Sequence, residues 1–100
     1  MTTLRAGAAM VDITPEIGTQ IAGDIGRHRP VEEIREPLYA RALVLECGGQ
    51  RCAIVSLDVG TMDQTHTAII REGARRRFGL KPDAVLIHAT QTHAAPAVGN

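Results

Sequence analysis

Residues 39–47, YARALVLEC, and 51–58, RCAIVSLD, are two runs of β-branched and aliphatic residues separated by Gly48-Gly49-Gln50. Two such runs around a short glycine-containing link predict a β-hairpin. A two-residue turn at Gly49-Gln50 sets a register in which Cys47 faces Cys52, Leu45 faces Ile54, Val44 faces Val55 and Arg41 faces Asp58. Aliphatic pairs then fall on both faces, which predicts a ribbon covered on both sides. In that register Cys47 and Cys52 form a non-hydrogen-bonded pair, close enough for a cross-strand disulfide. Two reduced thiols in a cytosolic protein is the competing reading.

The flanking segments extend the hairpin into a layered unit. Residues 5–13 read as a strand that Thr14-Pro15 ends, since proline cannot continue a ladder in mid-sheet. Residues 16–37 carry Gly18, Gly23, Gly26, Pro30 and Pro37 among scattered charges and read as a long irregular segment. After the hairpin, Thr61-Met62-Asp63-Gln64 has the form of a capping box with Thr61 as N-cap, and a helix runs from there to about Phe78. Its buried face is marked by Ile69, Ile70, Gly73 and Ala74, and Gly79 supplies the C-cap. The run Arg75-Arg76-Arg77 complements the negative end of the helix dipole and faces water. Residues 84–89, AVLIHA, form a final strand, so 51–58 and 84–89 are parallel neighbours or near neighbours in a βαβ unit. The fold class is therefore α/β, a β-hairpin plus a βαβ unit.

Composition narrows the functional classes. One hundred residues hold a single modest core, and with one Tyr, one Phe and no Trp that core is aliphatic. Eleven basic and eleven acidic residues cancel, which argues against a nucleic-acid binder. No run approaches the roughly 18 apolar residues of a membrane span. Asp12 and Pro15 interrupt the N-terminal apolar stretch, so it does not read as a secretory signal and the chain reads as cytoplasmic.

Ligands of open α/β sheets bind beyond the carboxyl ends of the strands. Here those ends are Ser56-Leu57-Asp58-Val59-Gly60 and Thr90-Gln91-Thr92-His93, and parallel strands bring both to one edge. Asp58 could orient an imidazole such as that of His93 from behind. It could equally be the cross-strand partner of Arg41 or a partner for the following helix. His88 falls on an apolar strand, where a core or edge histidine is the ordinary case, and His66 falls within the helix. No Ser-His-Asp order, glycine-rich phosphate loop or cysteine zinc motif is present.

The segments VDITP, EPLYARALVLE, RCAIVSLDVG and VLIHATQTHAAP, in this order and spacing, resemble the N-terminal catalytic domain of the neutral/alkaline (non-lysosomal) ceramidases and their bacterial relatives. The resemblance covers nearly all of residues 5–97 and only the front part of that larger domain. It implies that residues 1–100 are the N-terminal portion of a mixed-sheet α/β hydrolase domain. It also implies a zinc-dependent amidohydrolase acting on ceramide, a lipid N-acyl amide, and relatives that are secreted. In that family two histidines, a glutamate and a tyrosine hold the zinc, which activates water and polarises the amide carbonyl. The family's THTHSGP loop falls on Thr90-Gln91-Thr92-His93-Ala94-Ala95-Pro96. Gln91 therefore stands at the position of the ligand histidine, and His93 matches the second histidine, which lies beside the metal. Arg35-Glu36 stands where relatives often have His-Asp. The other ligands of that family would follow Asn100. Residues 1–100 alone are then expected to be inactive. The alternative is a non-catalytic binding or interaction module of the same fold with its metal position disabled. Either way, unpaired sheet edges favour self-association.

Overall fold

The computed structural model describes residues 3–20 and 30–98. Its elements are strand β1 (Arg5–Asp12), the hairpin β2 (Tyr39–Cys47) and β3 (Gln50–Leu57), helix α1 (Gln64–Phe78), a 3-10 turn at Pro82–Ala84, and strand β4 (Val85–Ala89). The four strands form one sheet in the order β1-β2-β3-β4. The first two neighbouring pairs are antiparallel and β3–β4 is parallel. This is the mixed α/β sheet that the sequence predicts, with the βαβ strands as direct neighbours. Part of the irregular segment 16–37 (residues 21–29) lies outside the described residues. On either side of it Gln20 and Pro30 form an isolated antiparallel bridge.

The hairpin register differs from the expected one by two residues. Cys47 pairs with Gln50, Leu45 with Cys52, Val44 with Ala53, and Arg41 with Ser56. The turn is Gly48-Gly49, with φ of 59° and 79°. Two successive positive φ values define the turn whose twist matches the strands, and two glycines adopt it at least cost. Gln50, with a Cβ, is relieved of that conformation and starts β3. The slip leaves Cys47 and Cys52 out of cross-strand register, and both are free and exposed.

A two-residue slip changes partners without changing faces. Ala53, Val55 and Val85 therefore face α1, where Ala53, Leu80 and Val85 form the buried cluster and Val44, Val55, Ala74 and Ile87 pack against it. The opposite face is not covered as expected: Leu43 and Ile54 remain 38% and 36% exposed. On α1, Ile70, Gly73 and Ala74 are half-buried as the pattern indicates, but Ile69 is exposed, one position off the covered stripe.

The N-cap of α1 is Asp63 rather than Thr61. Its carboxylate accepts from the His66 backbone N–H at 2.9 Å and meets the His66 ring Nδ1 at 2.6 Å. Asp is as strong a cap as Thr or stronger, and here it also gains an imidazole. At the other end Gly79, at φ 69°, donates its N–H to the Arg75 carbonyl and closes the helix. Arg51 reaches from β3 to the Phe78 carbonyl, and Arg71 from α1 to the Val85 carbonyl, so both strands of the βαβ unit are tied to the helix.

Candidate functional site

The carboxyl ends of β3 and β4 do not merely share an edge; their following loops are sewn together. The Thr90 and Gln91 N–H groups donate to the carbonyls of Leu57 and Val59, and Gly60 N–H donates to Pro96. Farther along, Val98 N–H donates to Thr61 and Asp63 N–H returns to Val98, with Met62 and Val98 in a parallel bridge. Ala95 is fully buried beneath the loop and Val59 nearly so. This ladder fixes residues 90–98 as a rigid ledge rather than a free loop.

Gln91 holds φ of 61°, the left-handed region that a residue with a side chain seldom enters. The conformation turns the chain sharply out of β4 while keeping the Gln91 N–H on Val59. His93 follows in an exposed turn that the Ala94 N–H closes on the Thr92 hydroxyl at 3.2 Å.

Asp58 completes the corner between β2 and β3. Its Oδ2 accepts from the Tyr39 backbone N–H at 3.0 Å and from Arg41 Nη1 at 3.2 Å, while its own N–H donates to the Tyr39 carbonyl. Arg41 lies over the Tyr39 ring, 4.9 Å from its centre. Thr14 joins the same corner: its hydroxyl accepts from Leu38 N–H, and Asp12 accepts from Thr14 N–H at 2.8 Å. Asp12 is held below the usual carboxylate range by the Thr14 hydroxyl and then by the Thr14 N–H. The Arg41 contact is one of the readings that the sequence left open for Asp58, although it forms diagonally across the ladder and not between register partners.

Between this corner and the ledge runs a cleft of ≈ 970 Å³, lined by Tyr39, Arg41 and Asp58, by Thr92 and Ala94, and by Val31 and residues 33–38. The segments carrying Asp58 and His93 are thus brought to one edge. Arg35 and Glu36 line the cleft as well, and Arg35 pairs with Glu33 on its exposed rim. His88 sits elsewhere, exposed on β4 in register with Ser56. Three features escaped sequence reading: the Asp63–His66 couple, the seating of Arg41 on Tyr39, and the backbone conformation of Gln91. The first had a signal, since Asp followed by His three residues later places both at a helix start.

Zinc fits this donor set poorly. A catalytic zinc takes three protein ligands of His, Asp or Glu type, whereas an amide oxygen such as that of Gln91 is a weak donor. Among the described residues no three His, Cys, Asp or Glu side chains gather in a way that could hold a metal. No helix among them is long and apolar enough to cross a membrane.

The sheet order and the sewn ledge define a ceramidase-like α/β arrangement. The solved structure of neutral ceramidase from Pseudomonas aeruginosa matches 93% of the chain with a TM-score of 0.83 and 26% sequence identity. A second solved structure, a ceramidase complexed with C2, also matches 93%, with a TM-score of 0.79 and 26% identity. The chain spans 16% and 15% of the length of those two proteins, so its fold matches one part of a much larger ceramidase domain. No protein-family model and no curated protein matches the chain.

Proposed function

We propose that this chain is the N-terminal portion of a ceramidase-like amidohydrolase domain, framing one wall of a cleft for a lipid N-acyl amide. The reading rests on one observation: the solved structure of a neutral ceramidase, 26% identical in sequence, matches 93% of this chain with a TM-score of 0.83. In this proposal Arg41 and the Thr92 hydroxyl, which line the cleft, offer hydrogen-bond donors to an amide or hydroxyl. Asp58, fixed by Tyr39 and Arg41, holds the wall in shape. His93 lies in the exposed turn between Thr92 and Ala94, two residues that line the cleft. Hydrolysis belongs to the chain only in combination with further catalytic groups, and residues 1–100 alone bind without turnover.

A second reading is a binding module whose metal position has been closed. It is favoured by Gln91 at the place of the family's ligand histidine and by the poor fit of the described donors to zinc. In both readings zinc enters only with donors beyond the described set, and no catalytic step is assigned to it here.

The test is a titration of the ¹⁵N-labelled chain with a short-acyl ceramide, followed by amide shifts, with product analysis in parallel. Shifts clustered in residues 31–41, 58 and 90–96 without product are expected. Shifts confined to α1, or none at saturating ligand, would overturn the cleft assignment.

A further inference from the structure

Cys47 and Cys52 bracket the hairpin turn and take no part in the cleft. Cys47 pairs with Gln50 and Leu45 pairs with Cys52, so these four side chains form a two-by-two block on one face of the sheet. The thiols occupy one diagonal of the block, and Leu45 and Gln50 occupy the other. Both thiols are free and exposed. Their charged sequence neighbours, Glu46 and Arg51, are register partners of each other and project from the opposite face.

The register behind this diagonal is held from two sides. Gly48 and Gly49 fix the turn at positive φ, and Arg51 ties the start of β3 to the Phe78 carbonyl at the end of α1. Diagonal neighbours in an antiparallel pair have Cα atoms about 7–8 Å apart and Cβ atoms somewhat closer. A disulfide needs Cβ atoms about 4 Å apart, with sulfurs at about 2.05 Å, so the diagonal overreaches it. One metal ion in line between two thiolates, at about 2.3 Å from each, spreads the sulfurs to about 4.6 Å. That bridge lengthens the span by about 2.5 Å over a disulfide and carries the Cβ separation to about 6–7 Å, which is the diagonal.

Donor number and softness then select the ion. Among the described residues no three His, Cys, Asp or Glu side chains gather, so the two thiols are the whole donor set here. Structural zinc takes four ligands, and calcium or magnesium takes an oxygen shell. Thiolates favour copper(I), a soft ion that two in-line thiolates satisfy. We propose that Cys47 and Cys52 form a two-coordinate copper(I) site across the tip of the hairpin. On binding, two S–H bonds break and two Cu–S bonds form. Both protons pass to solvent and no electron moves, because the copper enters as copper(I). Both donors come from this chain, and the site is independent of the cleft and of Gln91.

The test is an anaerobic titration of the reduced 100-residue chain with copper(I) in competition with bicinchoninate, a coloured copper(I) chelator. Sedimentation of the loaded protein gives its mass. The expected result is one copper per monomeric chain, with both thiols protected from iodoacetamide. Cys47→Ser and Cys52→Ser should each weaken copper binding by about 100-fold or more, at least what loss of a partner behind a metal ligand costs. Both positions are exposed, so serine is accommodated, and far-UV circular dichroism checks the fold of each variant. His93→Ala should bind copper as the parent does. Serine variants that hold copper as tightly as the parent would overturn the proposal. So would one copper per two chains, which would make the ion a bridge between molecules, or a loss of copper in His93→Ala, which would place it on the ledge.

Discussion

Removing the Asp58 carboxylate should separate two interactions that share one oxygen. In Asp58→Ala, the half-buried Tyr39 N–H loses a charged acceptor, worth about 1.5–3 kcal/mol. Arg41 loses its ion pair, worth only about 0.2–1 kcal/mol because its side chain is 51% exposed. The sum is about 2–4 kcal/mol. Asp58→Asn keeps a carbonyl oxygen for Tyr39 and loses only the charge, so its cost is about 1 kcal/mol. Arg41→Ala loses the ion pair and the contact with the Tyr39 ring, together about 0.5–2 kcal/mol. Urea unfolding measures all three. With a slope of about 1–1.5 kcal/mol per molar urea for a chain of this size, Asp58→Ala should lower the midpoint by about 1.5–3 M and Asp58→Asn by less than about 1 M. Added salt should narrow the gap between Asp58→Ala and the parent only by the small Arg41 share. Equal losses in Asp58→Asn and Asp58→Ala, or a loss in Arg41→Ala as large as in Asp58→Ala, would refute the claim that the backbone bond dominates.

Three further outcomes follow from local geometry. Asp63 is held below the usual carboxylate range, first by the His66 backbone N–H and then by the His66 ring. A depressed folded-state value contributes stability that is present above the unfolded value and lost as pH falls through the folded one. Acid unfolding of α1 should therefore start at higher pH in His66→Ala than in the parent, as followed by circular dichroism. Gly48→Asn should stabilise the chain by about 0.4–1 kcal/mol in thermal melts, since Asn tolerates the φ of 59° and restricts the unfolded chain. Ellman titration without reductant should find both cysteines reactive, because Cys47 and Cys52 are exposed and out of register; one disulfide per chain would mean that the hairpin had slipped to a Gly49-Gln50 turn.

Much of the fold was legible because periodicity and punctuation act locally. Thr14-Pro15 and Gly79 end their elements where the sequence indicates. What was not legible depended on choices between near-equal local options. Gly49-Gln50 and Gly48-Gly49 both offer a turn, and only the demand for positive φ at two successive residues selects the second. Thr61 and Asp63 both offer a cap, and the His66 contact selects the latter. The placement of β1 beside β2 is a long-range pairing with no local signal. At the site, the shared edge of the Asp58 and His93 segments follows from parallel strands. The left-handed Gln91 and the Tyr39–Asp58–Arg41 corner arise from loop closure, which no spacing rule encodes.

The central proposal is that this chain carries a ceramidase-like wall in which Gln91 stands where the resembled family has its ligand histidine. Zinc content by elemental analysis of chelator-free protein addresses it most directly, alongside Gln91→His and His93→Ala. The account predicts no stoichiometric zinc in the parent or in His93→Ala, and none in Gln91→His either, since one added imidazole leaves the described donors short of the three ligands that a catalytic zinc takes. Stoichiometric zinc in the parent, lost in His93→Ala, would contradict it.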